Sequence, residues 1–448
     1  MPQRAELDRR AFLKSAGITA LVGAVEAGTP LTAAAAPQSS RYDFDTVYNR
    51  IGTECVKWDQ QIRTYGKDNI LVGMGIADQD FRAAPCITRA LQERMKHENW
   101  GYLDTPPRSY IDAIVNWNKR RYGIEINPEL LVLANGVHPG IIAALKAFSP
   151  PGSKVLMTTP AYDGFYADLD FCQLKAEESL MKVVNGRYAI DFDDLERRIG
   201  HDTHVMILCN PHNPTGNCWS AEDLTRIGEI CLRRRIVVLA DEIHCDFVTR
   251  GNKYTPFATL PNKDIVRNSL TFKAASKSFS LSAMKTAWFF SENADYVARV
   301  KANNHVDLTT LGMVANRAAL LEGDEWLDQA VAYIDGSHDF VESYIRDRIP
   351  LVKYVKAQGT YLAWLDVSDI VNRIRARQTA ADASKESGKA VSPETIVQQY
   401  FVKKARVHMS AGSAYGYGGA GHMRMNVATS RKTRELALTS LASALRTT

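Results

Sequence analysis

The feature that most constrains the fold is an alternation, from about residue 70 onward, of short apolar runs with amphipathic stretches of helical length. The predicted strands are Leu131–Ala134, Lys154–Thr158, His204–Leu208, Ile236–Ala240, Ser269–Phe272 and Ala287–Ser291. The predicted helices are Ala83–His97, Tyr110–Tyr122, Gly140–Phe148 and Ala221–Arg234. Apolar strands this short, separated by helices, are typical of βαβ units around a buried, mostly parallel sheet.

The sequence predicts two folded domains, since 448 residues that are 45% hydrophobic can fill more than one core. We expect residues 37–75 to form an arm of the smaller domain and residues 76–311 to form a large α/β domain. Residues 312–448 begin with an almost continuous helical pattern and continue as a smaller α/β domain. Its clearest predicted strand is Gly359–Val367. The polar stretch 372–393 is predicted to be a surface insertion or mobile loop.

Residues 1–36 do not match the pattern of the folded domains. Arg9 and Arg10 precede a mildly apolar stretch, Ser15–Gly28, which is followed by the alanine run 33–36. This order resembles a twin-arginine export signal, and the apolar stretch is too short to span a bilayer. We therefore expect a periplasmic or secreted protein without a stable membrane anchor. An amphipathic helix that stays attached is the alternative.

Charge and cysteine content exclude several other classes of protein. The net charge of +5 is spread along the chain without a dense basic block, so nucleic-acid binding is not expected. The seven cysteines are odd in number and contain no C-x-x-C pair. The sequence therefore predicts neither a disulfide framework nor a metal site.

Two segments place polar residues directly after predicted strands. Asn213 lies in the motif N-P-H-N-P-T-G, which follows the apolar run 205–208. Asp241 directly follows the apolar run 236–240. An acid at the carboxyl end of a parallel strand points into the crevice in which α/β proteins bind ligands. Taken alone, the first motif is equally typical of a turn and the second of a helix N-cap.

Two further segments add positive charge. Lys277 stands in Ser276-Lys277-Ser278-Phe279, a turn of small residues after another predicted strand. Arg424 is flanked by methionines in a predicted half-buried strand near the C-terminus. A lone lysine is usually a solvated surface group, so the order of all four segments carries the argument.

That ordered set matches the needs of pyridoxal-5′-phosphate (PLP) chemistry. A lysine amine binds the cofactor covalently, and a carboxylate keeps the pyridine nitrogen protonated so that the ring withdraws electrons. A polar side chain holds the phenolic oxygen, and an arginine pairs with the substrate carboxylate. Lys277, Asp241, Asn213 and Arg424 supply these four groups.

From about residue 70 to its C-terminus the chain resembles the fold-type I PLP enzymes, the class I/II aminotransferase superfamily. The resemblance implies a large domain with a mostly parallel seven-stranded sheet flanked by helices, and a smaller α/β C-terminal domain. Within the superfamily the chain is most similar to the MalY/PatB-type cystathionine β-lyases. The matching stretches are Ala77–Phe81, Gly101-Tyr102, Thr159–Tyr166, Asp241–His244, Ser276–Phe279 and Thr360–Asp366.

The resemblance also assigns roles to individual residues. His244 at the cofactor site marks the lyase subgroup, because many aminotransferases carry tyrosine there. Tyr162 is expected to stack on the cofactor ring. Tyr102 is expected to reach the phosphate of the neighbouring subunit, which makes the catalytic unit a homodimer.

We expect the cofactor phosphate at Gly136-Val137-His138, where a strand ends and a helix begins, because helix N-termini favour anions. Ser276 can add a hydroxyl group. The sequence departs from the family at Ala274, where a phosphate-binding serine is common, and at Lys285, where aminotransferases usually carry arginine. At Gly75 the lyase subgroup tends to have a bulky aromatic residue, so a wider substrate pocket is expected.

Two reactions follow from the same residues. A β-lyase would cleave L-cystathionine or a related S-substituted cysteine to thiol, pyruvate and ammonia. An aminotransferase would share the first steps and release a keto acid from an amino acid or secondary metabolite. A non-catalytic PLP-binding role is the least favoured, because Lys277 is present. The sequence alone identifies neither the native substrate nor the export cleavage site.

Overall fold

The computed structural model describes residues 41–103 and 106–446. The chain divides into two units, Met1–Asp43 and Phe44–Thr448. Only residues 41–43 of the first unit are described, so the predicted export signal lies outside the described residues. In the described ranges, no helix is both long enough and apolar enough to cross a bilayer.

The strands alternate with helices along most of the chain. The strands are β1 Val72–Gly73, β2 Leu131–Ala134, β3 Lys154–Thr159, β4 Lys175–Leu180, β5 Lys182–Val184, β6 Arg187–Ala189, β7 Thr203–Cys209, β8 Val237–Asp241, β9 Ser269–Lys273, β10 Ala287–Phe290, β11 Leu362–Asp366, β12 Val407–His408, β13 Ser410–Ala411 and β14 His422–Asn426.

The helices differ in length from one turn to seven. They are α1 Gln61–Tyr65, α2 Pro85–Met95, α3 Arg108–Tyr122, α4 Val137–Phe148, α5 Asp163–Phe171, α6 Phe192–Arg198, α7 Ala221–Arg233, α8 Lys263–Arg267, α9 Ala294–Lys301, α10 Thr310–Glu322, α11 Asp324–Arg348, α12 Ser368–Arg373, α13 Ala376–Ser387, α14 Pro393–Ala405 and α15 Arg431–Arg446.

A seven-stranded sheet forms the centre of the molecule, in the order β2-β10-β9-β8-β7-β3-β4. Strand β10 runs antiparallel to both of its neighbours, and the remaining pairs are parallel. Every residue of β8 is buried, as expected for a strand that is covered by helices on both faces. The predicted fold class, a mostly parallel seven-stranded sheet flanked by helices, is confirmed.

A second, smaller sheet lies toward the C-terminus and has the order β11-β14-β13. Its strands are antiparallel, and Arg424 of β14 stands opposite Trp364 of β11 and Ser410 of β13. Strand β1 pairs in parallel with β12, so residues 72–73 are hydrogen-bonded to a strand near the C-terminus. This pairing brings the backbone that follows β1 toward β14.

The stretch 372–393 was predicted to be a surface insertion or mobile loop, and the loop interpretation is wrong. Helix α13 covers most of the stretch, although most of its side chains are exposed. Alanine and long polar side chains favour a helix, and composition alone did not separate a polar helix from a loop. The helical pattern that begins at 312 is also interrupted, because α10 ends at Glu322 and α11 begins at Asp324.

Gly312 generates a test of the packing between α10 and the loop before β10. A Cβ atom there would lie 2.1 Å from the backbone oxygen of Met284, which cannot rotate away. We expect Gly312→Ala to lower the free energy of unfolding by about 1–3 kcal/mol. Gly336→Ala, on the exposed face of α11 with no atom within 4 Å of the new Cβ, should instead raise it by about 0.5–1 kcal/mol. Equal effects in denaturation experiments would contradict the packing.

Candidate functional site

The site lies at the carboxyl ends of neighbouring strands in the large sheet. Asp241 is the last residue of β8, Asn213 follows β7 and Lys277 follows β9. Because β7, β8 and β9 are adjacent and parallel, their carboxyl ends meet at one edge of the sheet. The structure therefore brings these three sequence-predicted residues to one edge.

Asp241 is a buried carboxylate. It is 5% exposed, and its Oδ1 accepts the backbone N–H of Ile243 at 3.1 Å. Burial raises the pKa of Asp241 to about 6, while that hydrogen bond and the nearby His138 and Lys277 oppose the rise. The carboxylate is thus ionised at neutral pH and can face a positively charged ring nitrogen.

Lys277 carries a partly neutral amine. Its Nζ donates to the backbone oxygen of Ala77 at 3.0 Å. Burial of the amine and the positive charge of Arg424 lower the pKa of Lys277 to about 8. The carboxylates of Asp78 and Asp241 limit the fall. A lysine with this pKa has a substantial neutral fraction near pH 7–8, as an amine nucleophile or base requires.

Arg424 is 4% exposed and presents its guanidinium to the same edge. Its Nη1 donates to Oδ1 of Asn213 at 3.0 Å, and its Nη2 donates to the backbone oxygen of Gly75 at 2.9 Å. The guanidinium also lies 5.0 Å from the centroid of the Tyr415 ring. Its buried Nε has no hydrogen-bond partner among the described residues. The planar donor group is therefore held in place and able to bind a carboxylate.

Sequence reasoning singled out Gly75 and Ala77–Phe81 by resemblance but missed that the backbone of residues 75–79, the 75–79 segment, holds these side chains. Each of its five backbone oxygens accepts a hydrogen bond from a side chain. Arg424 and Ser410 donate to Gly75, Asn426 to Ile76 and Asp78, Lys277 and Tyr361 to Ala77, Lys57 to Asp78, and Arg50 to Gln79. The donors are distant in sequence, so no local pattern could reveal this arrangement.

Helix α4 begins at Val137, three residues earlier than predicted, with Gly136 at its N-cap. Helix N-termini favour anions, and phosphate binding at Gly136, Val137 and His138 stays a prediction. The His138 ring reaches the hydroxyl of Tyr162, with Nε2 and the phenol oxygen 3.3 Å apart. Tyr162 is partly buried and precedes α5.

His244 is 2% exposed and packs edge-on against Tyr361, with ring centroids 5.8 Å apart. Burial and the charges of Lys277 and Arg424 hold the pKa of His244 well below its usual value, so the ring is neutral. Its Nδ1 has no partner in the described part of the chain. A direct role of His244 at the cofactor stays a prediction.

Three predicted residues remain more open. Ser276 is partly exposed, whereas Lys285 and Tyr102 are exposed. Lys285 has a positive φ of 52° at the end of a short helical turn. Within residues 41–103 and 106–446, no hydrogen bond or ion pair joins these three side chains to Lys277 or Asp241. Their roles at the phosphate stay predictions.

The prediction of extra space at Gly75 is wrong. A Cβ atom there would lie 2.7 Å from Cε1 of His408 and 3.2 Å from Oγ of Ser410. The His408 ring, which is 6% exposed, therefore fills the space beside Gly75. Sequence reasoning considered the loss of a side chain at one position and missed the ring that comes from β12.

These residues fit PLP by their own chemistry. A half-buried amine with a lowered pKa, a buried carboxylate at a strand end and the first turn of α4 match the aldehyde, pyridine nitrogen and phosphate of that cofactor. The unpartnered Nε of Arg424 leaves a donor for a substrate carboxylate. The arrangement can hold PLP next to an amino acid.

Comparison with known proteins agrees with this interpretation. The family model for aminotransferase class I and II matches residues 69–441, which include all four residues at the strand edge. Cystathionine beta-lyase PatB of Bacillus subtilis (strain 168) is 35% identical over 408 residues, covering 90% of this chain and 100% of that protein.

Solved structures show the same architecture. Cystalysin from Treponema denticola, which contains PLP, matches with a TM-score of 0.82 and 26% identity over 91% of this chain and 99% of that one. A PLP-bound C–S lyase from Staphylococcus hominis matches with a TM-score of 0.78 and 26% identity over 90% and 99%. Both similarities extend over nearly the whole chain.

The lowered pKa of Lys277 predicts how covalent PLP capture by cofactor-free protein depends on pH. Only the neutral amine attacks the aldehyde, so the capture rate should rise with a midpoint near pH 8, well below the usual lysine value of 10.5. Arg424→Gln removes a positive charge that lowers this pKa, so the midpoint should move upward. Stopped-flow absorbance measures both rates, and a wild-type midpoint near 10.5 would contradict the assignment.

Proposed function

The chain belongs to the class I and II aminotransferase family, and from that premise we propose that it is a PLP-dependent C–S β-lyase. Its substrates are L-cystathionine or related S-substituted cysteines, and its products are a thiol, pyruvate and ammonia. The observation that carries the proposal is the full-length similarity to PatB together with the meeting of Lys277, Asp241, Asn213 and Arg424 at one edge of the sheet.

The cofactor supplies an electron sink for the negative charge that develops on the substrate Cα. Asp241 stays ionised at neutral pH and would stabilise positive charge at the ring nitrogen of the bound cofactor. Lys277, whose pKa is about 8, takes the Cα proton at Nζ. The 3.0 Å hydrogen bond to the Ala77 oxygen orients this amine at the strand edge.

Arg424 selects for an α-carboxylate. Asn213 and the Gly75 oxygen fix its two terminal nitrogens, so little side-chain entropy is lost when the substrate binds. Burial of the guanidinium strengthens its attraction for an anion, because the surroundings screen charge less than water does. After Lys277 has removed the Cα proton, the Cβ–S bond breaks and its electron pair leaves on sulfur as a thiolate. Water then hydrolyses the remaining three-carbon fragment to pyruvate and ammonia.

The activity test uses the PLP-loaded protein and L-cystathionine without any keto acid. We expect sustained release of pyruvate, ammonia and free thiol in equal amounts, because β-elimination followed by hydrolysis consumes only water besides the amino acid. Lys277→Ala should abolish turnover, whereas Lys263→Ala, at an exposed lysine paired with Glu292, should retain it. Absence of all three products, with keto-acid-dependent amino transfer instead, would establish the aminotransferase alternative.

The active form is a homodimer in which Tyr102 reaches the neighbouring subunit's cofactor phosphate. The support is an exposed surface around this residue. The side chain of Tyr102 is fully exposed and that of Trp100 is half exposed. Tyr102 also lines a cavity of about 390 Å³ together with Met313 and Arg317. Exposed aromatic residues in such a group are typical of a protein interface.

Mixing two inactive variants tests this shared site. Tyr102→Ala and Arg424→Ala should each lower kcat/KM. For Arg424→Ala the loss should correspond to about 2–5 kcal/mol of transition-state stabilisation, because a buried partner of the substrate carboxylate is removed. In mixed dimers one of the two sites regains both residues, so activity should recover to about one quarter of the wild-type value after random exchange. Mixtures that stay as inactive as the separate variants would argue against a cross-subunit Tyr102.

The protein is exported by the twin-arginine route to the periplasm or the medium. The support is the order of Arg9-Arg10, the apolar stretch 15–28 and the alanine run 33–36. This route transports folded proteins, which suits an enzyme that must enclose its cofactor first.

Replacing both arginines tests the export proposal. The double variant Arg9→Lys and Arg10→Lys keeps the charge of the segment but removes the paired arginines. In a bacterium with an active twin-arginine pathway, we expect the wild type outside the cytoplasm and the variant inside it, as measured by immunoblotting of cell fractions. The same distribution for both chains would contradict the proposal.

A further inference from the structure

Three side chains form a hydrogen-bonded row beside the predicted anion-binding end of α4. His138 is the second residue of α4, and its Nδ1 lies 2.6 Å from Oδ2 of Asp168. Its Nε2 lies 3.3 Å from the hydroxyl oxygen of Tyr162. The centroids of the His138 and Tyr162 rings are 5.4 Å apart, at a tilt of 46°. The row therefore connects a buried carboxylate with a tyrosine at the site.

The chain makes room for this row at Gly164. A Cβ atom there would lie 2.5 Å from Cε1 of His138 and 2.6 Å from Cε1 of Tyr162. The close approach of the two rings therefore depends on a residue without a side chain. Asp168 is only 5% exposed, and a buried carboxylate requires a donor, which the His138 ring provides.

We propose that Asp168 and His138 are a positioning pair for Tyr162. Asp168 accepts the Nδ1–H of His138 and fixes the ring, and His138 holds the hydroxyl of Tyr162 through Nε2. Tyr162 is thereby fixed beside the anion-binding end of α4. The pair acts through Tyr162. Among the described residues, neither Asp168 nor His138 forms a hydrogen bond with Asp241 or Lys277. Its importance for C–S cleavage rests on the proposed function, whereas its importance for cofactor binding does not.

Protonation of His138 reverses the bond to Tyr162. Burial opposes charge on the ring, but the hydrogen bond to Asp168 and its charge outweigh burial, so the pKa of His138 is raised. The other charged groups that act on the ring are Asp241, which favours protonation, and Lys277, which opposes it. When charged, His138 donates to the phenol oxygen and leaves the phenol proton available. When neutral, His138 accepts a hydrogen bond from the phenol O–H at Nε2.

The pH direction follows from the raised pKa. The stabilisation that protonated His138 gains from ionised Asp168 is present below the unfolded histidine value of about 6.5 and is lost as pH rises through the folded pKa of His138. Burial also raises the pKa of Asp168, so at low pH the pair loses its charge earlier than an exposed aspartate would. Above the folded pKa of His138 the Tyr162 hydroxyl donates a hydrogen bond to Nε2 and keeps its own proton. The hydroxyl of Tyr162 therefore changes from a free donor to an occupied one as the pH rises.

The first test measures PLP affinity by equilibrium titration of cofactor-free protein, which requires no turnover. We expect His138→Gln to weaken PLP binding about three- to tenfold, the loss of one hydrogen bond. In the Tyr162→Phe background the same substitution should have almost no effect, because the hydroxyl is already absent. An equal weakening in both backgrounds would overturn the proposal, since His138 would then act independently of Tyr162.

The second test follows the labelled His138 ring by NMR while the pH of the cofactor-free protein is changed. We expect a pKa above 6.5 in the wild type and a lower one in Asp168→Asn, which keeps a hydrogen-bonding side chain but removes the charge. A pKa unchanged by Asp168→Asn would overturn the pairing. Both tests are independent of the reaction, so absence of pyruvate from L-cystathionine would refute the proposed function and leave this pair intact.

Discussion

The site depends on the backbone oxygens of the 75–79 segment. This segment follows β1, which is paired with β12. It accepts hydrogen bonds from Lys277, which lies after β9 of the large sheet, and from Arg424 and Asn426 of β14 in the small sheet. A buried carbonyl without a partner is costly, so these oxygens fix the amine and the guanidinium at the same time. The distance between the base and the carboxylate-binding group thus follows from one short stretch of backbone.

Burial sets the charges at this edge, and the carboxylates balance them. Lys277 and Arg424 repel each other, which helps to lower the pKa of Lys277 to about 8. Asp241 retains its charge at pH 7 because burial raises its pKa only to about 6. A partly neutral amine, one carboxylate and one guanidinium can therefore coexist at neutral pH. That combination removes a proton from a bound amino acid while it holds the carboxylate of that amino acid.

The sequence predicted the sheet and the four central residues because each of them combines a local signal with chemistry. Asp241 and Lys277 end or follow apolar runs, and such runs are recognisable without tertiary information. The side-chain roles of His138 and Tyr361 were not predictable, because their partners lie 24 or more residues away on other elements. The segment 372–393 was misjudged because an exposed helix and a loop have similar polar composition. The contact between the His408 ring and Gly75 was not predicted either, because it depends on the pairing of β1 with β12, two short strands that are far apart in the chain.

The measurement that tests the account most directly is the absorbance of the bound cofactor during turnover of L-cystathionine with no keto acid present. The account predicts that many equivalents of substrate are consumed and that the absorbance then returns to its starting value, because β-elimination regenerates the PLP form of the enzyme. A loss of absorbance after a single equivalent, reversed only by adding a keto acid, would contradict it. In that case the same four residues would serve amino-group transfer.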